Sequence, residues 1–198
     1  RAKAEIGFAY GRLNDYYFQT SNMTFPNATT DHSRYDLFAG SLSIERNSLD
    51  YKQYPISGRK QFLVAQYVTG TEKYMPSPIT DMGSFDRKVH SWLQMKGEWE
   101  QYKTISPYFN LGFMSELVLS SKNLMNNYTA SVLQAPAFTP TPHSQIVFNE
   151  AFRANQYVAF GLSPILKFSK LLHFRLDMYG FAPLYEIKKE EVWNNNTY

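Results

Sequence analysis

A period-two alternation that returns along the chain constrains the fold more than any other feature. At residues 4–13, Ala4, Ile6, Phe8 and Tyr10 fall on one face and Glu5, Gly7, Ala9 and Gly11 on the other. That spacing belongs to a strand whose two faces meet different surroundings. Residues 37–46 repeat it, with Phe38, Gly40, Leu42 and Ile44 opposite Ala39, Ser41, Ser43 and Glu45. Residues 92–100 set Leu93, Met95, Gly97 and Trp99 against Gln94, Lys96, Glu98 and Glu100, and 108–119 set Phe109, Leu111, Phe113, Leu117 and Leu119 against Asn110, Gly112 and Glu116. The runs 156–163 and 172–181 alternate likewise, while 61–70 is apolar on both sides except at Gln66. Seven strands are expected.

The connections between them sort by length. A long polar segment, about 20–36, follows the first strand, and the compact turn Tyr54-Pro55-Ile56-Ser57-Gly58 follows the second. About 74–90 is long, Thr104-Ile105-Ser106-Pro107 is short, about 122–155 is very long, and Phe168-Ser169-Lys170 is short. Strict alternation of short and long places all short turns at one end of an up-and-down meander, the habit of outer-membrane barrels. The expected fold class is therefore all-β, an antiparallel up-and-down transmembrane β-barrel. About seven strands of a larger barrel are present, forming one incomplete domain over residues 1–198. Seven strands leave two edges, and edges cannot face lipid, so more strands are expected to complete the wall.

Composition narrows the alternatives. Aromatic residues make up 17% of the chain, a load suited to strands and membrane interfaces. Tyr51, Tyr54, Trp92, Trp99, Tyr102 and Tyr108 lie near expected strand ends, where an aromatic girdle would sit. The 20 basic and 17 acidic residues are dispersed without blocks, which gives no footprint for nucleic acid. No run of 18 apolar residues offers a membrane helix. The chain opens on Arg1-Ala2-Lys3 with neither an initiator Met nor a signal-peptide core, as expected of an internal segment or processed product.

Two stretches carry a family resemblance. "SLSIERNSLDYKQYPISGRKQFLVAQYVTG", through Arg46, Asn47, Asp50, Pro55 and Gly58, resembles the strand-turn-strand unit of the bacterial surface-antigen outer-membrane β-barrel superfamily. Residues 127–165 resemble the C-terminal barrel of Bacteroidetes patatin-like phospholipases. The resemblance implies an outer-membrane anchor or translocation domain in a Gram-negative bacterium, attached to an N-terminal patatin-like lipid acyl hydrolase. It implies membrane lipids, the remaining strands and that N-terminal domain as partners. It also implies a long outer loop folded into the lumen, with an arginine at its tip touching the wall. Phe152-Arg153-Ala154-Asn155 falls where that motif would lie, with Ala154 in place of the family's glycine, so Arg153 and Phe152 are the expected loop-to-lumen contacts. Pro55 and Gly58 mark the periplasmic turn.

The sharpest polar constellation is His173, Arg175 and Asp177, which share one face of a strand and read as a lumen network. The family's lipase motifs are absent here, and His32, His90, His143 and His173 lack metal-ligand spacing. No catalytic, cofactor or metal residue is assigned to this segment. Two rival readings remain open: a soluble lipocalin-like barrel with its apolar face turned inward on a ligand, and a barrel phospholipase using Ser and His, for which His143-Ser144 is the nearest sequence pair.

Overall fold

The computed structural model describes residues 2–18, 30–76, 86–169 and 172–188. Its strands are β1 (Ala2–Tyr17), β2 (Asp31–Asn47), β3 (Gly58–Met75), β4 (Asp86–Ser106), β5 (Phe109–Ser120), β6 (Gln156–Lys167), β7 (His173–Arg175) and β8 (Met178–Tyr185), with an α-helix, α1 (Tyr128–Leu133), and short 3-10 turns at His143–Gln145 and Glu150–Phe152. All pairings are antiparallel, and the order β1-β2-β3-β4-β5-β6 follows the sequence without a crossover. β7 and β8 both pair with β6 and occupy one strand position, broken at Leu176-Asp177. The expected run 172–181 is thus two strands. The sheet is an open up-and-down wall rather than a closed cylinder.

Strands run longer than the alternation suggested. β2 begins at Asp31 and β4 at Asp86, inside segments expected to be loop. Those ends carry polar residues on both faces (Ser33 and Arg34, Thr71 and Glu72, Arg87 and Lys88), so hydrophobic alternation fades while backbone pairing continues. The expected loop interiors at 19–29 and 77–85, and the terminal Trp193–Tyr198, lie outside the described residues.

Local chemistry explains the turn at 48–57. Asp50 Oδ1 accepts from the amides of Tyr51, Ile56 and Ser57 at 3.0, 3.0 and 3.2 Å, gathering the turn around one carboxylate. Burial opposes ionisation of Asp50, but the Ser57, Ile56 and Tyr51 donors outweigh it and hold the carboxyl below its ordinary value. Gly58 closes the turn at φ +103°, and a Cβ there would lie 2.2 Å from the Ser48 carbonyl oxygen. Only glycine fits without strain.

The two faces of the wall differ in kind. One face presents Ala2, Ala4, Ile6, Phe8 and Tyr10 on β1, and in register with them Phe38, Gly40, Leu42 and Ile44 on β2. Leu63, Ala65 and Tyr67 continue it on β3, Leu93, Met95, Gly97 and Trp99 on β4, and Leu111, Phe113, Leu117 and Leu119 on β5. Val158, Phe160 and Leu162 on β6, then Phe174, Leu176 and Met178, complete it. Among the described residues nothing covers this face: Phe8 is 88% exposed, Ile6 74% and Phe160 54%. No charged residue interrupts these stretches, and Arg12, Arg34 and Asp36 on one side and Arg46 on the other border them. The opposite face mixes polar and apolar side chains; it is exposed at Lys3, Glu5 and Ala9 of β1 and buried at Val68, Glu72, His90, Trp92, Glu116, Val118 and Tyr157.

The long connection 122–155 covers the buried part of that face. Tyr17, Tyr35, Val68 and Trp92 of the wall form one cluster with Met125 and Ala130 of the loop. Val118, Tyr157 and Ala159 form a second with Phe138 and Ala154. The cores of this chain therefore lie between wall and loop.

Candidate functional site

The site is the polar face and the loop seated on it. Asn127 shows how the sequence builds the seat. Its side-chain oxygen caps α1 by accepting from the Ala130 amide at 2.8 Å, while its Nδ2 donates to the Tyr17 hydroxyl at 2.6 Å. A six-residue helix is too short to persist alone, so this docking is what sustains it. Gln134, just past the helix, donates to Asp15 Oδ2 on β1 at 2.8 Å.

Beside α1 lies a buried polar knot. Glu72 of β3 is fully buried and accepts from the Tyr35 hydroxyl at 3.3 Å and from the Asn126 amide at 3.2 Å. His90 Nε2 lies 2.8 Å from Oε2, the oxygen that also accepts from the Asn126 amide, while Tyr35 is on Oε1. The loop's entry is thus tied to the wall through a backbone amide on a carboxylate, a bond that survives in low dielectric because both partners are satisfied. Lys122, over the Trp92 ring at 4.8 Å, donates to the Gln134 carbonyl. Burial pushes its ammonium down to about 8, against the opposing pull of Glu72.

The loop is also braced on itself. Arg153 donates from Nη1 to the Leu133 and Ala135 carbonyls at 2.9 and 3.1 Å and lies 4.7 Å over the Phe148 ring. These are contacts within the loop, and burial lowers the guanidinium pKa from its ordinary value. Phe152 reaches the wall: its ring meets Phe181 of β8 edge-on at 5.7 Å. Phe138 stands between Tyr157, Tyr179 and Phe181 at 6.1 to 6.4 Å. The two limbs are joined by Phe138 N to Phe152 O and Ala154 N to Pro136 O, and the Tyr128 hydroxyl donates to Glu150.

Further along the wall, charges pair across three strands and a tyrosine joins them from a fourth. Lys60 on β3 bonds Glu98 at 2.8 Å, Lys96 bonds Glu98 at 2.9 Å and Glu116 at 3.2 Å, and the Tyr157 hydroxyl on β6 donates to Glu116 at 2.5 Å. Each carboxylate has a cation, which offsets the cost of holding it away from bulk water. Arg175 centres a second group. It donates to Asp177 at 2.7 Å, to the Pro55 carbonyl at 2.8 Å and to the Tyr102 hydroxyl at 2.9 Å, and Ser163 donates to Asp177 at 2.5 Å. Tyr102 can lie there because Gly112 opposes it; a Cβ on Gly112 would stand 2.3 Å from the ring. The turn is thereby stitched to the wall, with Pro55 buried and the Ile56 carbonyl accepting from Asn110 at 2.7 Å.

Of the expected lumen network, Arg175 and Asp177 meet, while His173 is exposed and is not among their hydrogen-bond partners. Of the expected aromatic girdle, Trp99, Tyr51, Tyr54 and Tyr108 are exposed. Trp92 and Tyr102 are 7% exposed and face the loop side, because they occupy even positions of β4, opposite in parity to Trp99. His143 is exposed, and the Ser144 hydroxyl is engaged with the Thr141 carbonyl at 2.7 Å. Among the described residues no three His, Asp or Glu converge as a metal ligand set, and no helix is long and apolar enough to cross a membrane.

Between the Lys60–Glu116 ladder, the turn at 52–55 and the loop at 139–145 lies a cavity of about 530 Å³, lined by Lys96, Glu98, Glu100 and Arg175 among others. Its lining carries both signs of charge, with Lys52, Lys60 and Glu116 beside those four. The Glu72–His90–Tyr35 knot was not anticipated from sequence. Extending strand parity past residue 70 and before residue 92 would have put Glu72 and His90 on the face of Val68 and Trp92.

Comparison with protein-family models, with curated proteins and with solved structures finds no match to this chain.

Proposed function

We propose that this chain is a wall segment of a transmembrane β-barrel in the outer membrane of a Gram-negative bacterium, with its uncovered apolar face against lipid acyl chains and loop 122–155 plugging its lumen. The observation that carries this reading is the charge-free apolar belt, in register over seven strand positions on the face turned away from the loop. Soluble monomers rarely expose an apolar patch of this extent, and a membrane surface is one of the partners such a patch marks. From Ala2 to Tyr10 the belt runs about 27 Å along β1, or about 21 Å at the usual tilt, close to the height of a barrel's lipid-facing band. The polar, hydrogen-bonded inner face suits a lumen, where water is at hand. A lipocalin-like barrel would need the apolar face inward, against the burial pattern.

The role that follows is anchoring, with transit through the lumen blocked while the loop is seated. Attachment to a patatin-like lipid acyl hydrolase is the extension of this reading that the surface-antigen resemblance supports. Membrane lipids, further strands and that N-terminal domain are its partners. Nitroxide labels placed one at a time at residues 157–162, in membranes, test the reading. Collision with oxygen should exceed collision with a polar nickel chelate at 158, 160 and 162 and fall at 157, 159 and 161. The reverse phase, or none, would sink the proposal.

A further inference from the structure

Most charges that meet across the strands of the wall meet their opposites. Lys3 stands opposite Glu45, Lys60 opposite Glu100 and Lys88 opposite Glu72. Where two carboxylates do face each other, Glu98 against Glu116, Lys96 lies 2.9 Å from one and 3.2 Å from the other. On the uncovered face, at the end of the wall nearest loop 122–155, one row departs from this pattern. Arg34 of β2 stands opposite Lys73 of β3, and Lys73 opposite Arg87 of β4, which sets three cations side by side in direct register. Like charges placed directly opposite destabilise a sheet unless a counter-charge joins them.

The chain supplies too little of that counter-charge. Asp36 comes within 3.4 Å of Arg34, but it already holds Arg12 at 2.6 Å. Lys73 and Arg87 are exposed, and among the described residues neither forms an ion pair. Four cations thus share this rim with one carboxylate. The row lies four residues beyond Phe38, about 13 Å along the strand and about 10 Å along the membrane normal at the usual tilt. Arg and Lys stems at that height reach back over the end of the apolar belt, where lipid headgroups lie. Across three strands the row spans about 10 Å, which suits two phosphate groups better than one.

Resting on the membrane reading above, we propose that Arg34, Lys73 and Arg87 bind the headgroup of an anionic lipid carrying two phosphate groups, with its acyl chains on the belt that begins at Tyr10 and Phe38. Guanidinium and ammonium donors give the phosphate oxygens charge-assisted hydrogen bonds, and the phosphates supply the counter-charge that Asp36 alone cannot. The apolar belt directly below the row favours a lipid over a free phosphate. At the opposite rim of the same face the cations are separated by amides: Arg46 stands opposite Gln61 and Arg59 opposite Gln101.

The full natural polypeptide containing residues 1–198, stripped of lipid in an uncharged detergent, would be titrated with diphosphoryl lipid A, its monophosphoryl form and inorganic pyrophosphate, and bound ligand counted by native mass spectrometry. The diphosphoryl lipid is expected to bind tightest. Lys73→Gln with Arg87→Gln should weaken it by about thirtyfold, while Arg46→Gln with Arg59→Gln should stay within about threefold of the unaltered protein. Without ligand the Lys73/Arg87 variant should unfold at no lower urea concentration, since it relieves repulsion. A lower midpoint would mean that the row is satisfied within the protein, and would count against the proposal. Absence of lipid binding, equal binding of the two lipids, equal weakening by both variant pairs, or pyrophosphate binding as tightly as the lipid would each overturn it. Phe160→Cys, probed in bilayers with a membrane-impermeant maleimide, separates the two levels. If it is protected when any of these results is found, only this inference fails; if it is labelled rapidly, the membrane reading fails as well.

Discussion

Replacing Phe138 by alanine should release the loop's second limb without unfolding the wall. Phe138 is 3% exposed and is the loop's aromatic contribution to the cluster of Val118, Tyr157 and Ala159. Its truncation removes the ring contacts with Tyr157, Tyr179 and Phe181 and leaves a void that wall side chains, fixed by backbone pairing, cannot fill. Phe→Ala changes of this kind cost about 3–5 kcal/mol. The α1 limb keeps Asn127 on Tyr17 and Asn126 on Glu72, so the cost falls on local opening of the segment from Pro136 to Ala154. Amide exchange at Phe138 and Ala154, whose N–H groups bond Phe152 and Pro136, should accelerate by about a hundredfold to a few thousandfold, at 1.36 kcal/mol per decade. Wall amides such as those of β2 and β3 should change little. Acceleration below about threefold at both loop amides, or equal acceleration across the wall, would refute the assignment of Phe138 as the local anchor.

Three further outcomes follow from the same geometry. Leu42→Arg, on the uncovered face at 50% exposure, should destabilise the protein by about 2–4 kcal/mol when it is refolded into bilayers, by urea titration; a near-zero effect there would contradict lipid contact. The depressed Asp50 carboxyl adds stability to the turn above its unfolded pKa and loses it as pH falls through the lower folded value. Protection of the Ile56 and Ser57 amides should thus hold from neutral pH to about 4 and fall only below it, a dependence that Asp50→Asn should abolish. Lys122, pushed down to about 8, disfavours its own charged form, so stability should rise between about pH 8 and the ordinary lysine value, where the unfolded chain still holds the proton. Its Nζ chemical shift should titrate near 8, and a midpoint near the ordinary value would remove the burial argument.

Strand existence was legible wherever one face was apolar and the other small or charged, as at Phe8 with Gly7 or Phe160 with Gly161. Strand ends were not. At Asp31–Asp36 and Asp86–Lys88 both faces are polar, and only backbone pairing, which leaves no mark on hydropathy, continues the strand. The break at Leu176-Asp177 was hidden because the alternation runs through it unchanged. At the site, Arg175 and Asp177 could be paired from spacing alone. Their link to Pro55 needs a contact between residues 120 positions apart. Arg153 was expected at the wall by resemblance; its carbonyl partners lie in the same loop, set by a fold of residues 133–153 that no periodicity announces.

The most direct test of lipid contact uses two tryptophans on one strand. Trp99 is on the uncovered face beside Phe113, and Trp92, on the other face, is held under Lys122. Variants retaining a single one of them would be refolded into bilayers of brominated lipid and their fluorescence compared with that in unbrominated bilayers. Strong quenching of Trp99 with Trp92 spared is the expected result, since bromine quenches only at close contact. Equal quenching of both, or quenching of Trp92 alone, would contradict the account.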